Sequence, residues 1–469
     1  MINDLERIHK ASMSILEDIG IRFHHLEILN VMERNGIKVS GETAFFTEEQ
    51  VLNWVRKAPG SFTIRAANPR YDMHLGAGAL EHAPGYGAPA IVESDGVKRD
   101  AVLEDYIQFL KLFHQSDLFK INGGILVDPC DLKTDRKYPI LFYHTLMHSD
   151  KCLIGMQASA DQVEMIMDMV AIVAGGKESL LAQPRITTIV NTLSPLQFDR
   201  NALDTLLVYA KHGQPVMVTP AVMAGATGPA TLAGTMALSN AEALAGIAAV
   251  QMIRDGAPVI YGCQSTSADM RTGGYAIGCP EHALCVTYGA ALARFYGLPC
   301  RGGGSPNDAK CVSVQSGYES MMVMMATCQA KIDLIVHSAG IVDGHSAMSY
   351  EQFVIDLEII GMIGRFIDGI RVDDDSLALN IIKEVASSGQ FLTHSHTLRH
   401  CRSEFWTPEV SLRGAVNGKE ADEKIMERIR KKREKMLAAY KRPQLPADVE
   451  SSLHSYLKDK GLDSHRLNS

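Results

Sequence analysis

Residues 297–310 read GLPCRGGGSPNDAK, residues 311–331 CVSVQSGYESMMVMMATCQAK and residues 332–356 IDLIVHSAGIVDGHSAMSYEQFVID. A short apolar run ends in Cys300 and leads into Gly302, Gly303 and Gly304. An amphipathic segment, 316–331, then carries the chain back to a second apolar run at 334–336. The pattern is strand, loop, helix, strand. The second strand ends in a further glycine-containing loop that holds Asp343 and His345, and the sequence predicts a helix from about Tyr350. Polar groups collect where strands end. In parallel α/β folds that edge is where chemistry is done, because loops vary there while strands hold them rigid.

Outward from this unit the same period recurs. Apolar runs at 119–127, 152–156, 186–190, 215–218, 259–262, 298–300 and 334–336 follow one another, most of them separated by a helical segment. Their continuous apolar character suits strands buried on both faces. The fold expected is α/β: a (β/α)8 TIM barrel with an N-terminal helical extension and a C-terminal helical tail. Its parts are an N-terminal helical region with a small β-hairpin (1–115), the barrel (116–400) and the C-terminal extension (401–469). The eighth strand is expected within 366–372 or around Phe391.

The N-terminal region carries helical periodicity over 4–19, closed by Gly20, and again over 25–35 and 47–57. Residues 62–75 alternate as strands do, and residues 90–92 with the Asp95-Gly96 turn predict a hairpin. Tyr86 sits between two glycines, either as a surface turn residue or as a lid aromatic facing a pocket. The charged stretch 423–442 reads as a solvated helix, followed by a polar tail after Pro446.

Composition narrows the function classes. The 469 residues are 46% hydrophobic with a formal charge of −8, which suits a large core and argues against a general nucleic-acid surface. No apolar run approaches membrane-spanning length and no signal pattern opens the chain, so a cytoplasmic location is expected. Nine cysteines occur singly, with no CxxC pair, which disfavours disulfide scaffolding and a zinc knuckle. Phosphate-loop, dinucleotide, nucleophile-elbow and HExxH signatures are absent. His394 and His396 could bind a metal, but the pair falls near the C-terminus, no matching metal-bridging lysine is evident, and loop histidines are more often hydrogen-bonded structural groups, so none is assigned. The strand-end loops are small and neutral-polar: Gly123-Gly124, Gln157, Asn191-Thr192, Thr219-Pro220, Gln264-Ser265-Thr266, 302–307 and 337–345. Such a lining suits a ligand that must not be trapped by a strong counter-ion, or a large partner that approaches the backbone closely.

GGGSPNDAK, the QSGYES helix start, HSAGIVDG followed by SYEQFVID, the late THSHTLRH with EFW, and the early ESDGVKRDA turn resemble the trimethylamine methyltransferase superfamily, in the expected order over nearly the whole chain. The resemblance implies a barrel that moves a methyl group from a methylated amine to the cobalt of a separate corrinoid protein. Founding members carry pyrrolysine in the barrel. This sequence has none, and is similar to the non-pyrrolysine branch of glycine betaine, proline betaine and carnitine demethylases. The cofactor implied is cob(I)alamin/methylcobalamin on a partner corrinoid protein, with nothing tightly bound to this chain. A homo-oligomer is expected as well.

A quaternary ammonium needs no general acid, since its nitrogen leaves as a neutral tertiary amine. The enzyme must hold the cation, align nitrogen, methyl and cobalt, and exclude water. Aromatic faces hold such a cation best. Tyr86, Tyr143, Tyr350, Phe353 and Trp406 are the candidate walls, Gln315 a candidate substrate contact, and Glu319 a candidate countercharge. His345, on the seventh strand-end loop, is the foremost catalytic candidate. For a substrate carboxylate the candidate donors are Arg301, His394, His396 and Arg399, with arginine favoured for bidentate pairing. A metal-dependent barrel hydrolase and a non-catalytic betaine-binding protein are the alternatives.

Overall fold

Seven strands form one parallel sheet: β1 (Glu81–His82), β2 (Leu153–Gly155), β3 (Ile186–Asn191), β4 (Val216–Thr219), β5 (Val259–Cys263), β6 (Cys300–Gly302) and β7 (Leu334–Ile335). The computed structural model describes residues 2–132, 136–387 and 389–462. Strand order is β1-β7-β6-β5-β4-β3-β2, and every pairing is parallel. A parallel pair needs a crossover, and the helices Ala160–Ala174, Arg200–Lys211, Leu232–Ile253, Pro280–Phe295 and Val314–Gln329 supply one between each successive pair from β2 to β7.

Both faces of the sheet are buried, which explains the continuous apolar runs. Ile154, Ile189, Met217, Ile260 and Leu334 pack in an inner cluster. Their neighbours Leu153, Val190, Val216, Val218, Val259 and Ile335 join the outer one, under the helices. The inner cluster is capped from below by an antiparallel hairpin, Phe62–Ile64 with Met73–Leu75, which contributes Ile64, Met73 and Leu75. Helix Leu232–Ile253 is buried on nearly every side because it is a core helix, 94% buried over its most apolar window.

The sequence located β2 to β7, but not the remaining edge. Residues 119–127 form no extended strand. They contribute parallel single-pair bridges, Phe119 to His82 and Ile121 to Cys152. β1 instead comes from the N-terminal region and pairs with β7. Neither place expected for the eighth strand holds one. Residues 366–372 are the end of helix Tyr350–Ile367 and the loop after it, and Phe391–Thr393 is a single 3-10 turn. Ile370 and Val372 are apolar yet 80% and 68% exposed, so hydrophobicity misdirects there.

The expected hairpin is present: Ala90–Val92 pairs antiparallel with Lys98–Asp100. Through Ile91 and Met348 it joins a second hairpin, Ile341–Val342 with Ala347–Met348, that follows β7. The charged helix runs Gly418–Ala439 and buries only Ile429 of its described residues. Where a polar tail was expected, helix Ala447–Asp459 docks by Leu453 and Leu457, four apart on one face.

Asp333, buried just before β7, ties the lower end of the sheet together. One oxygen accepts from the backbone N–H of Gly76, Gly78 and Ala79 at 3.0, 2.8 and 3.2 Å, and the other from Cys300 at 2.8 Å. Asp333→Ala would leave four N–H groups without that acceptor and should cost about 3 kcal/mol or more. The urea midpoint measures this, and an unchanged midpoint would refute the role.

Candidate active site

Arg301 lies on β6 opposite Leu334 of β7, a member of the inner cluster, so its side chain enters the interior of the sheet. It is 3% exposed. Its Nη1 donates to Gln264 Oε1 at 3.2 Å and its Nη2 to His337 Nε2 at 3.0 Å. The second bond places the His337 proton on Nδ1. Burial lowers the guanidinium to about 10, with Tyr275, Cys263 and Tyr86 the facing groups that oppose the shift. No carboxylate among the described residues pairs with it.

Three histidines surround this cation without sharing its charge. His337 and His345 stand edge to face, ring centroids 4.4 Å apart. His282, on helix Pro280–Phe295, has Nδ1 3.0 Å from the Ser265 carbonyl. Burial drives all three down, His282 to about 4, His345 to about 3 and His337 well below its ordinary value, with Arg301 adding to each shift. They are therefore neutral imidazoles at physiological pH. Tyr275 lies 6.0 Å from His345 and Tyr86 lies 6.3 Å from His337, ring to ring. Five buried nitrogens of this cluster lack a hydrogen-bond partner among the described residues: Gln264 Nε2, His282 Nε2, Arg301 Nε, His337 Nδ1 and His345 Nε2.

Local backbone makes the arrangement possible. His345 sits at the tip of the hairpin after β7. His337, Asp343 and His345 all adopt positive φ, at 66, 54 and 72°, a conformation that non-glycine residues hold only under constraint. Asp343 supplies part of that constraint. Burial would raise its carboxyl, but bonds from Lys310 and Lys98, the latter 2.7 Å away, bring it down to about 2. Tyr86 occupies its place because position 124 is glycine: a Cβ there would stand 2.5 Å from the tyrosine ring.

Of the residues singled out in the sequence, Tyr86, Arg301 and His345 come together here. The others are placed elsewhere. Glu319 accepts from Asp308 N and from Gln315 Nε2, both at 2.8 Å, so these two residues secure the loop after β6. Tyr143 bonds His454 of the C-terminal helix at 2.5 Å. Tyr350 stacks on Phe109 at 4.4 Å and donates to Asp105 at 2.8 Å, and Phe353 packs against Phe109 and Phe119. Trp406 lies against Gly361 on the outer side of helix Tyr350–Ile367. His394 caps helix Ser395–Glu404, which also carries His396 and Arg399. The sequence reading passed over Gln264 and His337 as cluster members although both sit on strand-end loops. Tyr275 and His282 lie further along the loop and helix after β5, where nothing in their spacing marks them. A groove of about 670 Å³ along Asp4, Arg7, Leu232 and Tyr288 belongs to the outer helices and contains none of the cluster.

A parallel α/β sheet with a buried arginine, free of any carboxylate among the described residues, set among histidines at its strand ends is the class of protein the structure defines. The family model described as Trimethylamine methyltransferase (MTTB) matches residues 2–463, and the chain belongs to that family. It is 40% identical to the glycine betaine methyltransferase of Desulfitobacterium hafniense (strain Y51), covering 98% of this chain and 96% of that one. It is 31% identical to the proline betaine:corrinoid methyltransferase of Eubacterium limosum, covering 97% and 96%. These relatives place it in the branch without pyrrolysine. The crystal structure of the Methanosarcina barkeri monomethylamine methyltransferase shares the fold at TM-score 0.52 and 11% identity, covering 92% of this chain and 87% of that one.

The neutral histidines set a pH dependence. His282 titrates near 4 when folded and near 6.5 when unfolded, so between those values the unfolded chain binds the extra proton and acid favours unfolding. Stability should be lost as pH falls below 6.5 and continue to fall towards 4. His282→Gln should reduce the slope near pH 5 by about 1.4 kcal/mol per pH unit in urea titrations. An unchanged slope would show that the imidazole is protonated in the folded protein.

Proposed function

We propose that this enzyme takes a methyl group from a betaine-type quaternary amine, such as glycine betaine or proline betaine, and passes it to Co(I) of a separate corrinoid protein. One observation carries the substrate class: among the described residues Arg301 is buried without a carboxylate, and its Nε lies unpartnered in the same cluster as the unpartnered Gln264 amide. A buried cation with free donors fits a carboxylate supplied by the ligand. A betaine has one and trimethylamine does not. The relatives' names point the same way.

Each group then has a task. Arg301 and Gln264 bind the carboxylate, and the His337 acceptor holds the guanidinium in orientation. Tyr86 and Tyr275 give the ammonium aromatic surface. Neutral His337 and His345 add no positive charge to repel it. The corrinoid supplies the nucleophile that accepts the methyl group, and the unpartnered His345 Nε2 on the strand-end hairpin fits a group brought in by a docking protein. No acid is required, because the leaving nitrogen becomes a neutral amine. Burial of the cluster excludes water from the transfer.

The same reading joins the bridges at 119–121 to the seven strands, closing a (β/α)8 barrel with Glu81–His82 lent by the N-terminal region. That region is 1–115, the barrel 116–400 and the extension 401–469, in a cytoplasmic homo-oligomer.

Arg301→Met should raise KM for the accepted betaine roughly a hundredfold, about 3 kcal/mol. Anaerobic formation of methylcobalamin absorbance with the reduced corrinoid protein is the readout. Equal use of trimethylamine by the wild-type enzyme, or an unaltered KM in the variant, would overturn the carboxylate assignment. Absence of methyl transfer from every betaine would overturn the reaction.

A further inference from the structure

Residues 364–409 bury only one described side chain, Val385, while Ile370, Leu379, Leu392 and Leu398 stand 80, 61, 86 and 76% exposed. The segment's helices, Asp374–Leu377, Leu379–Val385 and Ser395–Glu404, are too short to be stable alone. With almost no apolar burial, something other than a core must hold them. Small core-poor units commonly use a cross-link or a metal ion.

The segment carries a suitable donor set. His396 and His400 are four residues apart on helix Ser395–Glu404 and so share a face, with ring centroids 4.3 Å apart. Asp375, on helix Asp374–Leu377, faces them, and one ligand atom from each of the three lies within 4.8 Å of the others. His400 Nε2 is 3.3 Å from Asp375 Oδ2, within ion-pair range, yet it is shielded from solvent and makes no hydrogen bond of acceptable geometry. His396 Nε2 is 3.3 Å from the Asp375 carbonyl. One charge competes: Arg371 Nη2 is 3.2 Å from Asp375 Oδ2. Its Nε is also 3.0 Å from Asp373, so Arg371 keeps a carboxylate partner when Asp375 turns to a metal.

We propose that Asp375, His396 and His400 form a binding site for a zinc-class divalent cation that clamps helix Ser395–Glu404 to helix Asp374–Leu377. Two imidazoles and one carboxylate suit zinc and its neighbours, whereas calcium and magnesium take oxygen ligands. Water completes the coordination. The site differs from the His394 and His396 pair read in the sequence, because His394 Nδ1 accepts from the His396 backbone at 3.1 Å and serves as a helix cap. It shares no residue with the Arg301 cluster and does not depend on the substrate reading.

The test uses full-length, metal-stripped protein titrated with Co2+ as a spectroscopic probe and with Zn2+ in equilibrium dialysis. The expected result is one ion per chain with a visible Co2+ spectrum free of thiolate charge-transfer bands. His396→Gln/His400→Gln and, separately, Asp375→Asn should weaken binding by about tenfold or more. Zinc should also slow proteolytic cleavage within 370–405 in the wild type but not in either variant. Absence of binding at micromolar metal, thiolate bands, or wild-type affinity in both variants would overturn the proposal.

Discussion

Gly76 to Ala79, Cys300 and β7 are distant in sequence and meet at the buried carboxylate of Asp333. The N–H groups of Gly76 and Cys300 are shut away from water and require an acceptor, those of Gly78 and Ala79 are partly buried, and one side chain serves all four. The consequence is topological. The loop before β1 is fixed against the start of β6 and β7, so a two-residue strand can take the sheet edge although it has little pairing of its own. With β1 in place, Tyr86 follows within a few residues and arrives beside the strand ends where Arg301 and His337 lie.

The interior above that joint changes character along the strands. Its lower part is packed with Ile154, Ile189, Met217, Ile260 and the hairpin residues Ile64, Met73 and Leu75, which leave no polar atom to satisfy. Its upper part holds a guanidinium, three imidazoles, a carboxamide and two phenols. Burying an arginine without a counter-ion is costly, and here the cost is met only in part, by Gln264 and His337. The same low-dielectric setting that makes the charge costly makes it attract an anionic group strongly. It also keeps the imidazoles neutral, so the site presents one fixed positive charge and aromatic surface beside it. A zwitterion with separated charges matches that pattern better than a simple cation does.

Much of the sheet was legible because its physics is local and periodic. Strands buried on both faces are apolar throughout, and the helices between them have their own spacing. β1 was illegible for the opposite reason: Glu81–His82 is short and polar, and its place is set by Asp333 and β7, not by its own residues. Exposed Ile370 and Val372 misled because apolar character was the only signal available for a strand. At the site, Arg301 and His345 could be named from strand-end position and residue chemistry, and Tyr86 as an aromatic held between two glycines. Tyr350, Phe353 and Tyr143 were named on aromatic character alone, and the structure uses them to pack helices. Tyr275 and His282 reach the cluster by a loop and a helix whose paths the sequence does not specify.

The family motifs that looked separate in the sequence prove to be one object. Lys98, in ESDGVKRDA, bonds Asp343, in HSAGIVDG, and Lys310, in GGGSPNDAK, bonds the same carboxylate. The neighbouring Arg99 forks onto Asp105 with bonds of 2.6 and 2.7 Å, and Asp105 also accepts from Tyr350 at the start of SYEQFVID. Four motifs spread over some 260 residues of chain thus converge on a single hairpin and hold three non-glycine residues in left-handed conformations. A flexible loop could not keep the His345 ring at a fixed distance from His337 while leaving its Nε2 unpartnered. A transfer that depends on alignment requires that fixity. The charged pairs hold the hairpin from outside the cluster, and the buried space beside His345 keeps the single charge of Arg301.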